Sequence, residues 1–353
     1  MKWEENVRKV VPYVAGEQPN RPNMIKLNTN ECPYPPAPGV RKAAENMESA
    51  ALRLYPNSNA QPLVDELAAY YGVKPEQVFV GVGSDDVLSM AFLTFFNSGK
   101  PVLFPDVTYS FYDVWADLYR IPYHTCALDE NWHMNPEDYK QPNGGVIFPN
   151  PNAPTGVEES QAMIEEILQA NPDVVVIVDE AYVDFGGTSA LPLLKKYENL
   201  LVVQTFSKSR AMAGMRIGFG IGNEKLIHYL NDVKFSFNSY TMNLPSQVMG
   251  VEAVRDDAYF KATTAKIVAT RERIKKELNE LGFTFPDSKA NFIFASHKEV
   301  PAEELFRALR EADIYVRHWN KPRIANSLRI SVGTDEEMDR LIAFLKEYLE
   351  KRV

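Results

Sequence analysis

Five short runs of almost uninterrupted apolar residues constrain this chain most: 77–82 (QVFVGV), 101–105 (PVLFP), 145–149 (GVIFP), 174–179 (VVVIVD) and 201–205 (LVVQT). A strand with one wet face alternates apolar and polar residues, whereas a strand apolar at successive positions has both faces covered. Such strands belong in a sheet enclosed by helices. Helical patterns fall at about 40–50, 62–71, 84–96, 110–119 and 158–170. The pattern predicts a doubly wound α/β unit with a mostly parallel sheet.

Ligands of open α/β sheets sit beyond the carboxyl ends of the strands, so what each run delivers there is informative. The 77–82 run delivers Gly83, Ser84 and Asp85 at the start of a helix; 101–105 leads to Asp106, Thr108 and Tyr109; 145–149 leads to Asn150, Asn152 and Gly156. The 174–179 run ends on Asp179, with Glu180 and Tyr182 behind it, and 201–205 leads to Ser207 and Lys208. Each has an ordinary alternative. Lys208 is either a solvated lysine or, beside small residues at a buried strand end, a desolvated amine able to form a Schiff base. Asp179 either caps a helix or is a buried carboxylate that needs a cationic or proton-donating partner. Gly83-Ser84-Asp85 makes an N-cap or offers backbone N–H groups to a phosphate. Tyr109 is a core residue or an aromatic stack, and Arg216, within GMRIGFG, a surface ion pair or a phosphate contact. Taken together, one edge collects a lysine, an acid, hydroxyls, aromatics and a helix N-terminus. That set suits an anionic aromatic cofactor.

Composition narrows the classes further. A net charge of −9 argues against a general nucleic-acid or anionic-membrane surface. Cys32 and Cys126 are too few for a disulfide framework, and with five scattered histidines they form no metal-ligand spacing, so no metal is expected. The charged start is no signal peptide, and no run approaches the ~18 apolar residues that span a membrane, which suggests a cytoplasmic protein. Residues 1–40, rich in Pro and Asn, read as an extended arm; 41–250 as the large α/β unit; and 251–353 as a smaller α+β unit packed with the arm. The latter opens on a long helix at about 258–281, followed by strand NFIFA, helix 302–311, strands IYVRH and SLRISV, and helix 335–350.

With D-E-A-Y (179–182), S-K (207–208) and M-R-I-G-F (215–219) in place, the sequence resembles the fold type I pyridoxal-phosphate aminotransferases. Within that class it is most similar to the histidinol-phosphate aminotransferase family. The arm carries V-P-Y-x-x-G (11–16) and L-N-x-N-E (27–31), followed by R-L-Y-P (53–56), and the C-terminal unit carries L-R-I-S-V-G-T (328–334). The resemblance implies pyridoxal 5'-phosphate held by Lys208, with Asp179 on its ring nitrogen, Tyr182 on its phenolic oxygen and Tyr109 stacked on the ring. It further implies that Gly83, Ser84, Asp85, Thr205, Ser207 and Arg216 cradle the phosphate, and that Tyr55 reaches the cofactor of a second subunit in a homodimer. Tyr13, Asn30, Tyr109, Arg317 and Arg329 would bind substrate. One departure stands out: the family pattern P-N-N-P-T-G reads P-N-A-P-T-G here, so either Asn152 reaches the cofactor or Tyr182 meets its phenolic oxygen unaided.

The implied reaction moves the amino group of glutamate to imidazole-acetol phosphate, giving L-histidinol phosphate and 2-oxoglutarate. The same scaffold also resembles threonine-phosphate decarboxylase, and a broad aromatic aminotransferase is a third reading. A DNA-binding regulator is not expected, because no segment ahead of the cofactor unit is long enough for its module. Nor is a nicotinamide dehydrogenase, because GVGSDD lacks the third glycine of G-x-G-x-x-G.

Overall fold

The computed structural model describes residues 2–352; Met1 and Val353, the outer ends of the expected arm and C-terminal unit, lie outside the described residues. The arm opens on a 3₁₀ turn at Lys2–Asn6, where only extended chain was expected, and contains one short strand, β1 (Ile25–Lys26). Helix Pro38–Glu45 follows, then a 3₁₀ turn at Ser49–Arg53.

The large sheet consists of β2 (Val78–Gly81), β3 (Val102–Pro105), β4 (Tyr123–Cys126), β5 (Gly145–Pro149), β6 (Val176–Asp179), β7 (Leu200–Thr205) and β8 (Gly218–Gly222). Their order is β2-β8-β7-β6-β5-β3-β4. The pairs from β7 through to β4 are parallel, and β8 runs antiparallel to both β2 and β7. Every residue of β2, β3, β5, β6, β7 and β8 is buried. That is the two-sided burial their apolar runs require. Apolar cores fill both faces, one around Phe92, Tyr112 and Trp115 and the other around Phe148, Ile164 and Leu168.

β4 and β8 lack the apolar run that marks the other strands. β4 is a mostly exposed edge strand, and β8 (GFGIG) contains three glycines, which are poor strand formers in isolation. Packing demands glycine there: a Cβ on Gly218 would lie 2.2 Å from Gly83 C and Ser84 N. Helices Glu224–Phe237 and Leu244–Arg255 were also unexpected; each starts at an asparagine, Asn223 or Asn243, whose side chain accepts from a first-turn backbone N–H.

Helix Asp257–Glu280 leads into a four-stranded antiparallel sheet of β9 (Phe283–Thr284), β10 (Phe292–His297), β12 (Arg317–His318) and β13 (Leu328–Ser331), in the order β12-β13-β10-β9; ahead of β12 lies β11 (Ile314–Tyr315). Helices Ala302–Glu311 and Asp335–Glu350 cover its core, which includes Ile293, Leu305 and Leu341. The expected single strand IYVRH is in fact split at Val316. The arm causes the split: Leu27 N–H donates to the Tyr315 carbonyl, while the Leu27 carbonyl accepts from Ser331 N–H. β1 therefore pairs with β11 in parallel and leaves β12 to pair with β13. Among the described residues, no helix is long and apolar enough to cross a membrane.

Candidate active site

The carboxyl ends of β2, β5, β6 and β7, the arm and the strand β12–β13 wall enclose a cleft of about 420 Å³. Tyr13, Asn30, Ser84, Asp85, Tyr109, Asp179, Tyr182, Thr205, Ser207, Lys208, Arg216, Arg317 and Arg329 all line it, as do the unforeseen Glu31, Phe111 and Trp319. A larger hollow of about 640 Å³ lies elsewhere, beside Trp132 and His133, and contains none of these residues. Among the described residues no acid, histidine and cysteine cluster could hold a metal.

Lys208 leaves the end of β7 and points into the cleft, where its Nζ donates to the Thr29 carbonyl at 3.0 Å. Burial, with the nearby charge of Arg329, lowers its pKa from 10.5 to about 8. About a tenth of the amine is then neutral at pH 7, far more than for a solvated lysine, and the neutral form is a base and a nucleophile.

Asp179, the last residue of β6, is 4% exposed. Its Oδ2 accepts from Tyr112 Oη at 2.9 Å and its Oδ1 from Ala181 N–H at 3.2 Å. Desolvation nevertheless raises its pKa from 3.8 to about 7. A buried carboxylate without a cation is ready for a positively charged N–H partner. Tyr112, the first residue of helix Tyr112–Tyr119, was not among the expected site residues; its ring meets that of Tyr109 edge-on at 5.8 Å.

The oxyanion end is built from the turn into helix Ser84–Phe95 and from β7–β8. Gly83, at the helix N-cap, has φ +89°, and a Cβ there would lie 2.5 Å from Arg216 Nη2. Arg216 Nη1 donates to Ser207 Oγ at 3.3 Å, and Thr205 Oγ1 donates to Ser207 Oγ at 3.0 Å. Arg216 Nη2 pairs with Asp85 Oδ2 at 3.3 Å, and Tyr109 Oη donates to Asp85 Oδ1 at 2.7 Å. Backbone N–H groups at a helix start, hydroxyls and a guanidinium are donors that could hold a phosphate.

On the opposite wall Asn30 Nδ2 donates to Tyr182 Oη at 3.0 Å, and Lys208 Nζ lies 5.9 Å from the Tyr182 ring centroid. Tyr13 stacks on Phe111 with centroids 4.1 Å apart, which closes the arm over the cleft.

Three expected residues do not line this cleft: Asn152, Tyr55 and Gly83. Asn152 is turned away: its Nδ2 donates to the Val107 carbonyl and Thr155 Oγ1, and its Oδ1 accepts from Thr108 Oγ1. Ala153, next to it, lines the cleft instead. Tyr55 is 81% exposed and stacks on Tyr240 at 4.7 Å, on the outer surface of the chain. Gly83 shapes the cradle from behind without lining it.

Residues 22–345 match the family model for aminotransferase class I and II. The histidinol-phosphate aminotransferase of Lactococcus lactis subsp. cremoris is 52% identical over 352 residues, covering 100% of this chain and 99% of its own. That of Clostridium botulinum is 48% identical over 349 residues, covering 99% of each chain. The solved histidinol-phosphate aminotransferase of Sinorhizobium meliloti, in complex with pyridoxal-5'-phosphate, superposes with a TM-score of 0.84 over 94% of this chain and 92% of its own, at 23% identity. At that identity the likeness bears on the fold alone.

Proposed function

Since the chain belongs to the class I and II aminotransferases, we propose that it exchanges amino groups between glutamate and imidazole-acetol phosphate, with pyridoxal 5'-phosphate as cofactor. The observation that carries this reading is one cleft holding a desolvated lysine, a buried acid, a helix N-terminus with hydroxyls and a guanidinium beside it, and two further guanidiniums on the facing wall. Full-length relatives named histidinol-phosphate aminotransferase support the substrate and do not favour the decarboxylase or broad aromatic alternatives.

The chemistry of the lining suits the cofactor. Asp179 would hold its ring nitrogen, and a cationic N–H there would relieve the carboxylate's desolvation. Ser84, the Asp85 backbone, Thr205, Ser207 and Arg216 would hold its phosphate, with Gly83 giving Arg216 room. Because Asn152 is engaged elsewhere, Tyr182, oriented by Asn30, would meet the phenolic oxygen. Tyr109 would cover one face of the ring. When bound, the cofactor supplies an electron sink for cleavage of the substrate α-C–H bond.

Lys208 would hold the cofactor, and its amine, desolvated at the end of β7, would serve as the base that takes the proton from the substrate α-carbon and hands it on. Its desolvation and the Arg329 charge lower its pKa to about 8, which frees more of the neutral amine near neutrality while leaving it a competent base. Arg329 forks onto the α-carboxylate of glutamate or the phosphate of the partner substrate, and Arg317 adds the second charge that a dianion calls for. Tyr13 and Phe111 exclude water from above.

The active unit would be a homodimer, in which Tyr55, exposed on the single chain, reaches the phosphate of the neighbouring subunit's cofactor. A cytoplasmic location fits the composition. The test is direct: purified protein with cofactor, histidinol phosphate and 2-oxoglutarate should form glutamate in proportion to the amine consumed. Absence of glutamate would refute the proposal.

A further inference from the structure

Strands β12 and β13 place Arg317 directly opposite Arg329. Like charges at opposed positions destabilise an antiparallel pair. Among the described residues neither guanidinium pairs with a carboxylate: Arg317 Nη2 donates to the Val14 carbonyl at 3.4 Å and Arg329 Nη2 to the Asn28 carbonyl at 3.0 Å. Arg329 Nε is buried with no partner, among the described residues.

What both arginines share is Trp319, two residues past Arg317. Its ring centroid lies 5.2 Å from Arg317 Cζ and 5.1 Å from Arg329 Cζ, and Phe292 lies 5.3 Å from Arg329 Cζ on its own account. Trp319 is half-buried and lines the same cleft.

We propose that Trp319 is a positioning residue for the anionic substrate, an aromatic partner that steadies two like charges without neutralising them. A carboxylate in its place would hold both arginines but would also occupy their N–H donors and repel the incoming anion. The indole quadrupole attracts the cations through the ring face and leaves those donors free. The pair thus stays convergent and charged while the site waits for a dianion. This explains how a cross-strand arginine pair can be tolerated at the wall of a partly buried cleft.

The inference rests on the substrate assignment above, so its test uses a probe that does not depend on that assignment. Inorganic phosphate is titrated calorimetrically into cofactor-loaded wild type, Trp319→Phe and Trp319→Leu; with the cradle filled by cofactor, phosphate reads the arginine wall. Losing two cation–π contacts should weaken phosphate binding about ten- to thirtyfold in Trp319→Leu, while Trp319→Phe, which keeps a ring, stays within about threefold. The KM for histidinol phosphate should rise in parallel in Trp319→Leu with kcat changed less than about twofold, and the bound cofactor's absorption should be unchanged. A merely structural tryptophan would lower kcat or cofactor occupancy instead. If Trp319→Leu binds phosphate like wild type, if the two variants are equally impaired, or if wild type binds no phosphate, the role of Trp319 is refuted. If the phosphate series behaves as expected but histidinol phosphate is no substrate, Trp319 keeps its role and the substrate assignment falls.

Discussion

Replacing Asp179 by asparagine should move stability and activity in opposite directions. In the cofactor-free protein the Asp179 carboxyl is buried, with Tyr112 Oη and Ala181 N–H as donors and no cation to oppose its charge. Its folded-state pKa is raised from 3.8 to about 7, so the folded state binds more protons than the unfolded state between those values. Stability from this group is therefore fully present below pH 3.8 and is lost as pH rises towards and through about 7. The difference between the two values corresponds to about 4 kcal/mol as an upper bound. The substituted amide would carry no charge but would leave one donor seeking a partner, which offsets part of the gain. Cofactor-free Asp179→Asn should accordingly be about 1–3 kcal/mol more stable than wild type at pH 8 and close to it at pH 5. Loaded with cofactor the order should reverse, because breaking a buried ion pair costs about 3–5 kcal/mol, and half-transamination should fall by at least about a hundredfold. Urea unfolding at both pH values, with and without cofactor, gives the stabilities, and the variant-minus-wild-type difference removes the contribution of neighbouring Glu180, whose pKa is also raised to about 7. A cofactor-free variant less stable than wild type at pH 8 would refute the reasoning.

Three further perturbations probe the rest of the cleft. Arg329→Met removes the positive charge that helps to lower the Lys208 pKa, so the pH midpoint for covalent capture of cofactor by apoprotein, about 8 in wild type, should shift upwards; an unchanged or lower midpoint would show that Arg329 does not act on Lys208. Arg317→Ala should raise the KM for histidinol phosphate about ten- to hundredfold while changing that for unphosphorylated histidinol little, the worth of one charge-assisted contact; equal losses on both amines would show that Arg317 does not read the phosphate. Mixing Lys208→Ala and Tyr55→Phe chains should restore partial activity, because some heterodimers would hold one site intact in both residues; heterodimers without activity would place Tyr55 outside the neighbouring site.

The sequence reveals most where a local pattern dictates position. Strands apolar at successive residues must lie within a covered sheet, and their carboxyl ends then bring Asp179 and Lys208 to one edge whatever the loops do. Residues placed by distant parts of the chain are harder to read. The break between β11 and β12 depends on Leu27, which wedges in from the arm. Trp319 gains its meaning only once the β12–β13 register sets Arg317 against Arg329. β8 is hidden by its glycines, of which Gly218 is demanded by the close approach of Gly83 and Ser84. The motif P-N-A-P-T-G shows a missing asparagine but not that Asn152 is already engaged with Val107, Thr108 and Thr155. Tyr55 looks exposed in sequence and is exposed in the single chain, where its ring stacks on Tyr240 and does not reach the cleft.

The central claim, that Lys208 drives amino transfer from both glutamate and histidinol phosphate, is most directly tested by single-turnover spectroscopy of the cofactor-loaded enzyme with each amine offered separately. Both amines should convert the cofactor from its aldehyde to its amine form, releasing the matching oxo product once per site, while threonine phosphate releases no carbon dioxide and Lys208→Ala converts with neither amine. Carbon dioxide from threonine phosphate, or full conversion by Lys208→Ala, would contradict it.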